Sequence, residues 1–325
     1  MKVLLIYRNR VDGANSIEEL FQTISVELRK KCEVIEYQLG ARKNLLRDIL
    51  NIRKIDVDVY HITGEAHYVA CFLPKRKTML TIHDIHHYNS NLRGWKKLVY
   101  RYIFLTSPLR SVRQLTTISN QTKEMLQKTF TQCPPITVIE NCYNDSLFKA
   151  AYRDFCVDKP RILHIGTKSN KNLPRVIEAI KGLNCKLVII GRLTNEQKNL
   201  LQDSKIDYEN MYNLSMKEVY NHYVNSDIVA FVSLSEGFGL PIIEGQAVGR
   251  VVITSDHQPM NRVAGDAAYL VDAWSVDSIR DGIEELISSS QLRNDLIKRG
   301  FDNIIHFSPQ SVAKQYYQLY LTFQE

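Results

Sequence analysis

Ser235-Glu236-Gly237-Phe238-Gly239-Leu240-Pro241-Ile242-Ile243-Glu244 follows directly on the apolar run Ile228–Val232. The run is short and rich in β-branched and aromatic residues, as a buried strand requires. Pro241 stands where a helix can begin, at a position that tolerates its missing N–H, so a helix is predicted over Pro241–Val248. Gly237 and Gly239 let the backbone approach a ligand closely and adopt positive φ. Strand, glycine loop and helix in this order form the repeating unit of a parallel α/β sheet. The N–H groups of the loop and of the helix start make a seat for a diphosphate. Glu236 and Glu244 bracket that seat, one in the loop and one in the first helical turn. Carboxylates beside phosphate are costly unless they bind hydroxyls, which points to sugar and ribose hydroxyls. The plainer alternative is a glycine turn followed by a helix-capping glutamate.

Outward from this unit the same alternation runs in both directions. Downstream come a strand at Val251–Thr254, another near Ala268–Val271, and helices at Val276–Ser288, Gln291–Arg299 and Pro309–Phe323. Upstream, strands Ile162–Ile165 and Leu187–Ile190 alternate with helices Leu173–Lys181, Thr194–Leu201 and Met216–Val224. The stretch Lys149–Pro160 breaks the pattern and reads as a linker. Before it, strands at Val3–Tyr7, Val34–Tyr37, Val57–Thr63, Thr78–His83, Leu115–Ile118 and Thr137–Ile139 alternate with helices such as Ser16–Lys30 and Asn120–Lys128. The expected organisation is therefore two doubly wound α/β domains facing across a cleft. Residues 1–150 form the first and 151–308 the second, and a last helix over 309–325 crosses back to the first. Ligands bind such sheets beyond the carboxyl ends of the strands.

The 325 residues suffice for two domains with their own cores, and 44% hydrophobic with 24% charged residues is ordinary for a soluble protein. No apolar run reaches the roughly 18–20 residues of a membrane span. The six cysteines are scattered without a C-x-x-C pair, which argues against a zinc ribbon or a disulfide framework and for a reducing compartment. The net charge of +7 resides mostly in residues 1–150, in clusters such as Arg29-Lys30-Lys31, Lys75-Arg76-Lys77 and Arg93 with Lys96, Lys97 and Arg101. That basic half suits either an anionic partner or simply a solvated face.

Other segments carry polar chemistry. Leu163-His164-Ile165-Gly166-Thr167-Lys168-Ser169-Asn170-Lys171-Asn172-Leu173 is again strand, loop and helix, but lacks the G-K-[ST] ending of a Walker A loop. Gly166 supplies the turn, and Lys171, with Lys168 in reserve, can set a cation on phosphate. His83, in Thr81-Ile82-His83-Asp84-Ile85-His86-His87-Tyr88, lies at the carboxyl end of a strand. It suits hydrogen bonding or proton handling, or a purely structural place; H-D-x-H-H is not a zinc spacing. The loop Asp12–Ser16 opens at the same strand ends, with Gly13 permitting close approach. Asp56-Val57-Asp58 precedes its strand, at the wrong end for a ligand. Nothing marks a G-x-S-x-G hydrolase.

Together these residues resemble the retaining glycosyltransferases of family 4, with the GT-B fold. The family's E-x7-E element is matched by Glu236 and Glu244, and its strand-G…K-N-L helix start by Gly166, Lys171, Asn172 and Leu173. Further landmarks are Asn213-Leu214-Ser215, Ser226-Asp227-Ile228 and Gly265-Asp266-Ala267-Ala268. Looser matches are His83-Asp84, Ser119, and Val138-Ile139-Glu140-Asn141. The resemblance implies a nucleotide-diphosphate sugar donor of UDP or GDP type, no metal and no other cofactor. Its catalytic group would comprise His83, Glu236 and Lys171. The donor would be held by Gly13, Gly166, Lys168, Lys171, Arg192, Glu236, the amides of Gly237, Phe238 and Gly239, Leu240, and Glu244 on the ribose. Two positions depart from the family: Thr167 stands where an arginine is common, leaving Lys168 or Arg192 as second cation, and Arg262 stands where an acidic residue is common. The acceptor would be a glycan or a lipid-linked sugar, in bacterial surface polysaccharide synthesis. The expected location is cytoplasmic. The aromatic and basic stretch Trp95–Phe104 reads either as an interfacial helix, by which the basic half would touch the anionic inner face of a membrane, or as a plain helix packed on the core. No nucleic acid is expected. The alternatives are a GT-B enzyme of epimerase type and a basic membrane- or nucleic-acid-binding module.

Overall fold

The computed structural model describes residues 1–9, 16–84, 101–130 and 132–324. They divide into two compact units, Met1–Cys142 with Pro309–Glu325, and Tyr143–Ser308.

The first unit is built on six parallel strands: β1 (Lys2–Tyr7), β2 (Glu33–Gln38), β3 (Val59–Ile62), β4 (Thr78–Ile82), β5 (Gln114–Thr117) and β6 (Ile136–Val138). They lie in the order β2-β1-β3-β4-β5-β6. β1 is hydrogen-bonded on both edges and covered on both faces, so Val3 to Tyr7 are all buried and the strand reads as an unbroken apolar run. Leu4, Ile6, Ile62, Leu80 and Leu115 point to one core. Val3, Leu5, Val59 and Met79 point to the other, against Phe21, Ile24 and Leu28 of helix Ser16–Leu28. The same core takes Val312, Ala313, Tyr316 and Tyr320 of the last helix, Pro309–Leu321. A buried polar chain fixes that helix: Tyr320 Oη lies 2.7 Å from His61 Nδ1, and His61 Nε2 lies 2.7 Å from Thr81 Oγ1. Thr81 in turn meets Thr116 Oγ1 at 2.6 Å. Burial, aided by nearby His83, pushes the His61 pKa down to about 3 and keeps the ring neutral.

The second unit carries β7 (Arg161–Ile165), β8 (Lys186–Ile190), β9 (Tyr208–Met211), β10 (Ile228–Phe231), β11 (Val251–Ser255) and β12 (Tyr269–Val271). All are parallel, in the order β12-β11-β10-β7-β8-β9. The chain winds outward from β7 through β8 to β9, then restarts on the other side of β7 with β10. Loops leaving β7 and β10 therefore depart to opposite faces at their carboxyl ends, the position at which such sheets bind ligands. The corresponding switch in the first sheet lies between β1 and β3.

β9 is absent from the sequence-based expectation. It is an edge strand, paired only with β8, and its four residues are all half-buried, so no apolar run marks it. Glu209 in it binds Arg161 and Lys186 at 2.9 and 2.7 Å, so part of what holds this edge is charge. Residues 149–160, expected as a linker, have no helix or strand but are stitched to the second unit. Buried Asp227 accepts from the amides of Cys156 (3.1 Å) and Arg161 (2.8 Å), and buried Arg250 donates to the carbonyl of Ala151 (2.7 Å).

Candidate functional site

At the switch point of the second sheet, β7 ends in Gly166 at φ +95°. A single 3₁₀ turn, Ser169–Lys171, then delivers the chain to Asn172, which is left-handed at φ 63°. Asn172 is buried, and its amide group donates to the carbonyls of Val232 (3.0 Å) and Ala273 (2.7 Å), pinning the turn to the ends of two other strands. A Cβ on Gly166 would stand 2.8–3.0 Å from Cγ, Cδ and Cε of Lys171. The glycine thus leaves room for the lysine stem as well as forming the turn. Lys171 Nζ ends 2.7 Å from Glu236 Oε1 and 4.8 Å from the centre of the Phe231 ring. Asn170 completes the junction, donating to the Ser235 carbonyl (2.9 Å) and Glu236 Oε1 (3.2 Å), while its own carbonyl accepts from the Leu234 amide (2.7 Å). Two loops about 65 residues apart in sequence are zipped together because β7 and β10 are neighbours.

Beyond β10 the positive φ falls on Gly239, at +120°, which caps helix Leu240–Val248 with Pro241 in its first turn. Phe238 turns its ring inward, edge-on to Phe307 at 5.8 Å, so it offers a ligand only its main chain. Among the described residues the amides of Gly237, Phe238 and Gly239 donate to no protein acceptor. Leu240 is half-buried at the helix start. Glu244 accepts a 2.6 Å hydrogen bond from the hydroxyl of Tyr223, in helix Met216–Val224. Burial first, and then the neighbouring Glu244, hold the Tyr223 pKa well above its usual value, so the hydroxyl stays a donor. The sequence carries no local sign of this pair; only the fold brings position 223 to position 244. Beneath the loops, buried His164 is held neutral, its pKa lowered to about 4 by burial and by the charge of Lys171.

The candidate second cations stand differently. Lys168 is exposed at the start of the 3₁₀ turn, and among the described residues it has no ion pair. Arg192 lies over the Tyr212 ring at 5.1 Å, and its carbonyl accepts from Thr167 Oγ1 at 2.7 Å. Thr167 therefore ties the loop after β7 to the loop after β8; a Cβ on Gly191 would come within 2.8 Å of its methyl.

In the first unit, His83 follows β4 with Nε2 2.9 Å from the Thr63 carbonyl, which can only accept, so Nε2 carries the proton. Burial lowers its pKa, which keeps the ring neutral near pH 7. Arg8, at the end of β1, binds Glu18 at 2.8 Å and also Glu65, a network with no motif in the sequence. Gly13 lies outside the described residues, as do His86, His87 and residues 95–100. Asp58 sits at the amino end of β3, where it accepts from the Lys2 amide at 2.8 Å. Among the described residues no group of three His, Cys, Asp or Glu side chains is placed to hold a metal ion, and no helix is long and apolar enough to cross a membrane. At the amino ends of β4 and β5, Lys75, Arg76, Arg110 and Arg113 line a groove of about 650 Å³ that has no acidic residue among its lining. Phe72, Tyr102 and Ile103 in the neighbouring turns are exposed by 45, 64 and 45%.

Residues 154–302 match the family described as glycosyl transferases group 1, and residues 19–147 match glycosyltransferase family 4. An O-antigen chain mannosyltransferase of Salmonella typhimurium is 26% identical over 246 residues, covering 70% of this chain and 67% of that protein. A capsular polysaccharide biosynthesis glycosyltransferase of Staphylococcus aureus is 30% identical over 149 residues, which is 44% of this chain and 39% of its own length. The Anabaena protein HepE, solved with UDP and glucose, superposes with a TM-score of 0.80 over 99% of this chain and all of that one, at 12% identity, and so shares the fold.

Proposed function

The chain belongs to the group 1, family 4 glycosyltransferases with the GT-B fold, and from that premise we propose that it transfers a sugar from a nucleoside diphosphate sugar, of UDP or GDP type, to a glycan or lipid-linked acceptor. The observation that carries this reading is the junction at the second switch point. One lysine, one glutamate and three unpaired amides converge where a helix begins. In the donor complex Lys171 and the amides of Gly237, Phe238 and Gly239 take the diphosphate, Glu236 takes sugar hydroxyls, and Glu244 takes the ribose. Lys168 and Arg192 lend further positive charge at the rim. As the glycosidic bond breaks, negative charge grows on the departing diphosphate, and preorganised N–H groups stabilise it without reorganisation. On the family resemblance His83 would lie near the reacting carbon, and Gly13, outside the described residues, would border the acceptor and the diphosphate.

Glu236 is engaged by Lys171 and Asn170, and Glu244 by Tyr223, so both are hydrogen-bond acceptors in fixed places. That arrangement supports binding rather than the acid/base pair of a glycosidase. It fits transfer with retention, without a metal, in which positioning and charge carry the rate. The O-antigen and capsular relatives support an acceptor in surface polysaccharide synthesis. The donor assignment is tested by melting curves with UDP, GDP, ADP and CMP in EDTA. At a hundred times Kd a ligand adds about 2.7 kcal/mol, so one diphosphate is expected to raise Tm by several degrees, on the order of 5–10 °C. No rise with any nucleotide at millimolar concentration would sink the assignment.

The basic groove, and the exposed Phe72, Tyr102 and Ile103 in the neighbouring turns, support a second part of the reading, peripheral contact with an anionic membrane face. Each Lys or Arg near such a surface contributes about 1 kcal/mol. Vesicles containing phosphatidylglycerol should sediment the protein at low salt, and Lys75→Ala/Arg76→Ala/Arg110→Ala should release it. Equal binding to neutral vesicles, or none to either, defeats this part.

A further inference from the structure

The geometry points to Tyr223 as a positioning residue that aims Glu244 at the ribose, and so sets the preference of the site for ribose over deoxyribose. This rests on reading Glu244 as the ribose ligand. A glutamate in a helix has three side-chain torsions and would otherwise sample several rotamers. Tyr223 removes that freedom, because its own ring cannot move. The residue is fully buried, with the ring edge-on to Phe148 at 5.4 Å and 83°. Its carbonyl is held by Arg250 Nε at 3.2 Å, and the next carbonyl, of Val224, by the same guanidinium at 3.1 Å. The hydroxyl therefore reaches Glu244 Oε2 from a fixed point, at 2.6 Å.

The chemistry of the pair decides what it does. The buried phenol donates to one oxygen of Glu244, and that bond directs the carboxylate's other acceptor positions. A carboxylate has about four lone-pair sites, enough to serve Tyr223 and ligand hydroxyls together. Sites built to bind a hydroxyl reject analogues that lack it, because the polar group meant for it is left unpaired. That rejection depends on the acceptor staying in place. Without the Tyr223 hydroxyl, Glu244 loses this fixed contact and tolerates the missing group more readily.

The test is calorimetric binding of UDP and GDP against their 2′-deoxy and 3′-deoxy analogues. The wild type is expected to prefer the ribonucleotide by about 10- to 100-fold for at least one hydroxyl. Tyr223→Phe keeps the ring on Phe148 and should cut that preference severalfold, with KM for the donor raised about tenfold and kcat nearly unchanged. In a Glu244→Ala background the same change should have no further effect on the preference. Full ribose preference in Tyr223→Phe, or additive losses in the double variant, overturns the inference while leaving the donor site standing. A wild type that binds a ribonucleotide tightly yet ignores both deoxy changes overturns the ribose role of Glu244, and this inference with it. If no nucleotide binds at all, the donor assignment itself has failed. Should Tyr223→Phe fold poorly, Glu244→Gln is the second probe: the Tyr223 hydroxyl holds the amide oxygen and so turns the NH₂ toward the ligand in place of an acceptor, and ribose preference must fall; full preference in this variant overturns the inference.

Discussion

Lys171→Ala is expected to lower kcat/KM by about 100- to 1,000-fold, the usual loss when one preorganised donor to a developing anion is removed. Two effects add. The cation that meets the diphosphate disappears, and half-buried Glu236 loses its partner at 2.7 Å, so a carboxylate is left facing the incoming phosphates. The two side chains neutralise one another before the donor arrives. The donor must therefore replace or extend an existing ion pair, and the variant forfeits a placed charge rather than a free one. Lys171→Arg should recover only part of the loss. Its stem would still cross Gly166, but a planar guanidinium does not reproduce the compact point charge that the ammonium places beside Glu236. Initial rates across donor concentrations, with the nucleotide-induced rise in Tm as a second readout, decide the matter. Activity within threefold of wild type in Lys171→Ala would remove this residue from the mechanism.

The largest effect on stability is expected at Tyr320. Tyr320→Ala empties a fully buried site on the face shared by β1, β3 and the last helix, and such aromatic truncations cost about 3–5 kcal/mol. It also strips His61 of the partner on its Nδ1, and a buried polar atom left alone costs a further 1–3 kcal/mol or so. Against the roughly 5–15 kcal/mol available to a domain, the first unit should be close to unfolding. Tyr320→Phe isolates the second contribution and should cost only about 1–3 kcal/mol. Urea unfolding followed by fluorescence measures both; a loss under about 1 kcal/mol in Tyr320→Ala would mean the helix is not integral to the unit.

Much of the architecture could be read along the chain, because parallel strands are buried on both faces and show as apolar runs between polar helices. The helix start at Pro241 was legible for a local reason, since proline has few tolerated places. Edge strand β9 was not, because half-exposed residues carry no run and its Glu209 and Asn210 read as loop. The candidate site divides in the same way. Gly166, Lys171 and Glu236 announce themselves within their own segments, and the structure brings them together. Asn172 stands in the legible K-N-L helix start, but its staple to Val232 and Ala273, like the reach of Tyr223 to Glu244, leaves no local trace. Thr167 reads in sequence as a missing arginine, whereas in the fold it clasps the neighbouring loop.

The return of the last helix to the first unit also has a consequence in time. The 166 residues of Tyr143–Ser308 are inserted between the sheet of the first unit and the helix that covers one of its faces. At about 5–20 residues per second of synthesis, that sheet waits on the order of 8–33 s on the ribosome for its cover. During that interval Val3, Leu5, Val59 and Met79 have only part of their core around them. The second unit is one continuous stretch and can finish first, so in this chain the half that begins last is the first able to close.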